Sequence, residues 1–135
     1  MSHISLSSAE NAIEAGKKKA AELGGAYTIS VVDAGGLLIA ASRLDGAPLA
    51  AVETSRTKAR TSALFSAPTK DLVGAVQPGA PLYGVANAVV EPLAFIPGGV
   101  PVIGEDGRII GAIGVGGGAP DQDHEIAVAA RSALH

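Results

Sequence analysis

The residues best equipped for chemistry lie near the C-terminus, where Asp121, Asp123, His124 and Glu125 stand close together. A hard cation needs several such oxygens converging. Neighbouring helical residues diverge by about 100° each. The competing reading is a set of acids complementing a helix N-terminus. His124 is the one histidine away from the termini. Its imidazole could act as a general base, or as the metal ligand on the axis of an iron porphyrin. The plainer reading is a polar side chain in a helix's first turn.

Immediately upstream runs Gly111-Ala-Ile-Gly-Val-Gly-Gly-Gly-Ala119. Gly114, Gly116 and Ala119 spell G-x-G-x-x-A between a strand and a helix. A dinucleotide unit needs a further strand and an acidic residue about 20 positions on. The sequence stops at His135, so nucleotide binding is not expected. Gly114, Gly116 and Gly117 could instead leave an open rim where backbone N–H groups meet a ligand. The positive end of the following helix would favour an anion there. A second bare bend, Pro97-Gly98-Gly99, is expected on the other side of that ligand. Against this stands tight turning and close helix–sheet packing.

Lys58 sits among small hydroxyl residues, Thr54, Thr61 and Ser62. It could face a pocket and fix an anion, against ordinary solvent exposure. Glu53, Arg56 and Arg60 share a helical face and suit surface ion pairs. Arg43 and Asp45 leave a strand together, with a structural pair as the default.

These residues need elements to position them. Ser7 to Leu23 reads as a helix capped by Ser7 or Ser8 and ended by Gly24-Gly25. Tyr27–Val32 and Leu37–Arg43 read as a hairpin around Asp33-Ala-Gly-Gly36. Leu49–Phe65 reads as a second helix packing through Leu49, Val52, Ala59 and Ala63. A short third helix runs from Thr69 to about Val76. Val89–Ile96 is expected as a strand despite Pro92, followed by strands Val100–Ile103 and Arg108–Val115. Asp121–Leu134 closes the chain as a helix. The order is α-β-β-α-α-β-β-β-α, an α+β domain with helices on an antiparallel sheet.

Length and composition bound the rest. The 135 residues, 47% apolar, suit one domain spanning 1–135, and mean hydropathy of +0.34 excludes disorder. No apolar run approaches the roughly 18 residues a membrane span requires. Met1–Glu10 lacks the pattern of a secretory signal, which fits a cytoplasmic protein. Net charge is −3 and no basic stripe appears, so no nucleic-acid partner is expected. Cysteine is absent, which removes disulfides, thiolate metal sites and thiol nucleophiles. Alanine occurs 26 times and glycine 18, with four aromatic residues. Such small side chains bury little area each, so a homo-oligomer that buries more is expected.

Six ordered blocks carry a resemblance: Val31-Val-Asp-Ala-Gly-Gly36, Ser42-Arg-Leu-Asp-Gly-Ala47, Pro81-Leu-Tyr-Gly84, Pro97-Gly-Gly-Val-Pro101, Gly111-Ala-Ile-Gly-Val-Gly116 and Asp121-Gln-Asp123. On these the chain resembles the GlcG/HbpS-like family, often labelled a haem-degrading domain. It is also similar to the C-terminal domain of PduO-type cobalamin adenosyltransferases. The resemblance implies a three-layer, profilin-like domain with a five-stranded antiparallel sheet. It implies a homo-oligomer, from dimer to octamer, and a small-molecule ligand, with haem as the cofactor in some members. Histidine ligation of haem would fall to His3, His124 or His135. The family motifs carry over Asp33, Arg43, Lys58, Tyr83, Gly98, Gly99, Gly114 and Asp123. Relatives often hold a hydroxyl residue where this chain has Gly116 to Ala119. Two functions follow. One is a binding module for haem or a related tetrapyrrole. The other is a small catabolic enzyme of lyase or isomerase type, acting on an organic acid or an aromatic-derived metabolite. There Lys58 or Arg43 would clamp a carboxylate, and Tyr83, Asp123 or His124 would move a proton.

Overall fold

The computed structural model describes residues 2–134. Three α-helices, α1 (Leu6–Leu23), α2 (Ala51–Phe65) and α3 (Pro120–Arg131), pack on four strands, β1 (Thr28–Asp33), β2 (Leu38–Arg43), β3 (Gly99–Ile103) and β4 (Ile109–Gly116). The strands form one antiparallel sheet in the order β2-β1-β4-β3. Both expected hairpins form, each with a bulge, at Val31/Val32 and at Val102/Ile103. No helix among the described residues is long and apolar enough to cross a membrane.

Alternation along the strands separates two faces. Ile29 and Val31 of β1, Val100 and Val102 of β3, and Ile113 and Val115 of β4 point to one side. There they meet Ala12 and Ile13 of α1 and Ile126 and Ala130 of α3 in the main core. The other side carries Ser30, Val32, Ala112, Gly114 and Gly116, paired in register across β1 and β4. Helix α2 lies on it, and the Ser30 and Ser55 hydroxyls are 2.8 Å apart. The layers are therefore α2, sheet, and α1 with α3.

The small face corrects the expected stripe of α2. Leu49 and Val52 are 77% and 44% exposed, and the helix starts at Ala51. Its buried positions are Ala51, Ser55, Lys58, Ala59, Thr61, Ser62 and Ala63. A sheet surface of mostly small residues lets a helix approach closely only through small residues of its own. A Cβ at Gly114 would strike the Ser55 carbonyl and come within 2.6 Å of the Ala59 nitrogen.

The five-stranded sheet is also corrected, because Val89–Ile96 is not a strand among the described residues. Pro92 cannot donate to a ladder, and side chains bond this segment's backbone instead. Arg60 Nη1 donates to the Pro92 carbonyl at 3.1 Å. The Ala94 N–H donates to Thr61 Oγ1 at 2.9 Å, and the Thr69 hydroxyl to the Ile96 carbonyl at 2.6 Å. The segment is an irregular strap beside α2. The expected third helix is two 3₁₀ turns, Thr69–Leu72 and Gly74–Val76. The first helix is capped by Ser5, whose side chain accepts from the Ser8 N–H, rather than by Ser7 or Ser8. The last helix spans Pro120–Arg131, shorter than expected at its C-terminal end.

Candidate functional site

The site forms where β4 ends and α3 begins. Lys58 projects from α2 toward this corner and Asp123 from the first turn of α3. They are only 4% and 1% exposed. Lys58 Nζ donates to Asp123 Oδ2 at 3.0 Å and to the Val115 carbonyl at 3.0 Å. Asp123 Oδ1 accepts from the Gly118 N–H at 3.0 Å. Two of the three ammonium N–H groups are thus used by described residues. Burial pushes the Asp123 carboxyl above its ordinary range, opposed by the bond and charge of Lys58 and by the Gly118 N–H.

Glycine makes the corner possible at two bends. Gly98 has φ of +135° and Gly117 of +121°, values a side chain disfavours. A Cβ at Gly98 would lie 2.9 Å from Lys58 Nζ and 2.7 Å from the Val115 carbonyl. Beside the Gly117 bend lies a cavity of about 270 Å³, walled by Lys58, Asp123, Gly117, Gly118, Ile96 and Thr54, with Pro48, Ala50, Ala51, Ala94 and Pro120 completing it. Thr54 and Ala94 also line an adjoining groove of about 550 Å³ along α2, with Arg56 and Arg60.

The other predicted residues fall into distinct places. Gly114, Gly116 and Gly99 lie under α2: a Cβ would meet the Ser55 carbonyl, the Thr54 hydroxyl and the Lys58 backbone, respectively. Asp33 stands at the opposite end of β1, where its carboxylate accepts from the Gly35 and Leu37 N–H groups at 2.9 Å each. Arg43 ends β2, two strands from β4, in a cleft with Lys17, Ser42 and Asp45. Tyr83 is 63% exposed on the 77–84 loop and lines none of these cavities.

His124 faces away from Asp123 into a separate cleft of about 390 Å³, with Lys19, Glu125, Val128 and Ala129. Its Nδ1 is buried without a hydrogen-bond partner among the described residues. Burial, then the charges of Lys70 and Arg131, push the imidazole below its ordinary value. No three acidic or histidine side chains converge as a metal cluster among the described residues. His135 lies outside the described residues.

One residue of the corner carried no sequence signal. Tyr27 is 1% exposed, and its hydroxyl lies 3.4 Å from Gln122 Oε1. Burial raises its phenol, as do the charges of Asp123 and Glu125. The bare backbone of Gly118 makes room for its ring. A tyrosine opening a strand reads simply as core, and here its ring packs against Gly118, whose N–H bonds Asp123.

Residues 4–132 match the family described as "Haem degrading protein HbpS-like". Protein GlcG of Escherichia coli is 38% identical over 112 residues, covering 83% of this chain and 80% of its own. The corrinoid adenosyltransferase PduO of Citrobacter freundii is 34% identical over 87% of this chain, which spans only 35% of PduO's length. Among solved structures, the PduOC:heme complex superposes with a TM-score of 0.91 at 31% identity, covering 98% of this chain and 96% of that one.

Proposed function

This chain belongs to the HbpS-like family, and from that premise we propose that it is a small-ligand-binding domain whose ligand seats between Ile96 and the Gly117 bend. One observation carries the reading: a buried Lys58–Asp123 pair on the wall of a cavity of about 270 Å³. A cavity near the small end of the usual range takes a compact molecule. Its apolar wall of Ile96, Ala94 and Pro48 would exclude water, while the pair and the Gly117–Gly118 backbone orient the ligand. Residues 1–135 act in this reading as one cytoplasmic domain within a homo-oligomer. Isotope-edited NMR with pyruvate and butanone as probes tests the seat. Shifts confined to the Gly117 and Gly118 amides and Lys58 support it; shifts scattered over the surface, or none, count against it.

A second reading concerns haem, favoured by the heme complex of the PduOC neighbour and by His124. The residues of that cleft fit such a group. An imidazole held toward its neutral form keeps a lone pair for iron, Val128 and Ala129 offer an apolar floor, and Lys19 could pair a propionate. Haem, when bound, supplies redox and dioxygen chemistry. Haemin titration should give a Soret shift that His124→Ala removes. An unshifted Soret band in the unmodified protein dismisses this reading.

A further inference from the structure

Resting on the first reading, we propose that the Lys58–Asp123 pair is an acid–base couple that removes a proton next to the carbonyl group of a small ligand in the cavity. Both side chains are buried, 3.0 Å apart, and border the same space. Each keeps capacity for a ligand. Lys58 has one ammonium N–H beyond its bonds to Asp123 and Val115. Each Asp123 oxygen accepts one bond, which leaves a lone pair on both.

A carbonyl oxygen on the free N–H of Lys58 brings its α-carbon beside the carboxylate. The α C–H bond breaks and its proton moves to Asp123. The electron pair left on carbon forms the C=C bond, and the carbonyl π pair moves to oxygen, where Lys58 stabilises it. Reversal returns the proton to the same carbon. No oxidant, reductant or second substrate is needed. Burial that raises Asp123 makes it a stronger base than an exposed carboxylate, and the burial of both side chains strengthens the Lys58 contact. The bare backbone of Gly98 packs beside Nζ, where a Cβ would lie 2.9 Å from it.

The alternative is that the pair only ties α2 to α3. Buried ion pairs can often be replaced by apolar residues without loss of stability, so stability alone does not require one. Deuterium exchange separates the two roles. The protein is incubated in D₂O with pyruvate or butanone, and ¹H NMR follows loss of the α-proton signals. Exchange should exceed buffer, and Asp123→Asn should lower the enzymatic part by about 100-fold or more. The double variant Lys58→Met/Asp123→Leu keeps an uncharged, filled corner. It should retain its circular-dichroism melt and lose exchange altogether. Probe-dependent shifts at Gly117 and Gly118 with exchange equal in native protein and double variant overturn the proposal while leaving the binding reading intact. Absence of such shifts with both probes overturns the binding reading and the proposal with it.

Discussion

The two faces of the sheet are built by opposite means. Toward α1 and α3, β-branched side chains fill the space with Ile29, Val31, Val100, Ile113 and Val115. Toward α2, Ser30, Ala112, Gly114 and Gly116 present small groups, with Val32 the one large apolar side chain of β1 and β4 there. The first face is held by apolar burial, the second by close backbone approach. The second buries a charged helix residue at the end of β4, because α2 sits low enough for Lys58 to reach Val115 and Asp123. The glycine run therefore has two uses. Gly114 and Gly116 admit the helix, and Gly117 and Gly118 bound the cavity.

Substitutions can break that contrast. The largest loss is expected for Lys58→Met, which strands Asp123 as a buried unpaired charge and should cost about 3–5 kcal/mol in urea unfolding. Gly114→Ala comes next at about 3 kcal/mol, since its new methyl meets α2 backbone that cannot step aside. On the opposite face, Ile113→Val should cost only about 1 kcal/mol. If Ile113→Val proves more costly than Gly114→Ala, the close-approach account of the α2 face is wrong.

The smallest effect is electrostatic. His124 is held below its ordinary value of 6.5. Below that pH the unfolded chain binds a proton that the folded chain refuses. Stability from this group is therefore full above pH 6.5 and declines as pH falls through the lowered folded value. Asp123 has the opposite sign. Its raised carboxyl binds a proton in the folded state above the ordinary value of 3.8, so its contribution weakens stability as pH rises through that window. Urea midpoints from pH 4 to 8 should lose their rise just below pH 6.5 in His124→Gln. An unchanged slope would show that His124 titrates as if exposed.

The hairpins and outer helices were legible because alternation and glycine turns are local signals. The pairing of Lys58 with Asp123 was half legible. Each stood out alone, yet a contact between residues 65 positions apart leaves no spacing to read. The stripe of α2 was half legible: Ala59 and Ala63 are buried against Val32 and Ala112, while Leu49 and Val52 are exposed. Val89–Ile96 misled because its apolar residues outweighed Pro92, and the partners of its backbone were side chains on α2 and at Thr69. Tyr83 and Arg43 carried the family motifs, but the fold leaves them outside the Lys58 cavity.

The most direct test is an NMR titration of ¹⁵N-labelled protein with pyruvate, read at the Lys58 ammonium and the Gly117 and Gly118 amides. Saturable, concerted shifts at these three positions, with those of Gly117 and Gly118 lost in Lys58→Met/Asp123→Leu, are the predicted result. Identical spectra for the native protein with and without pyruvate and butanone would mean that the corner is a structural joint and holds no such guest.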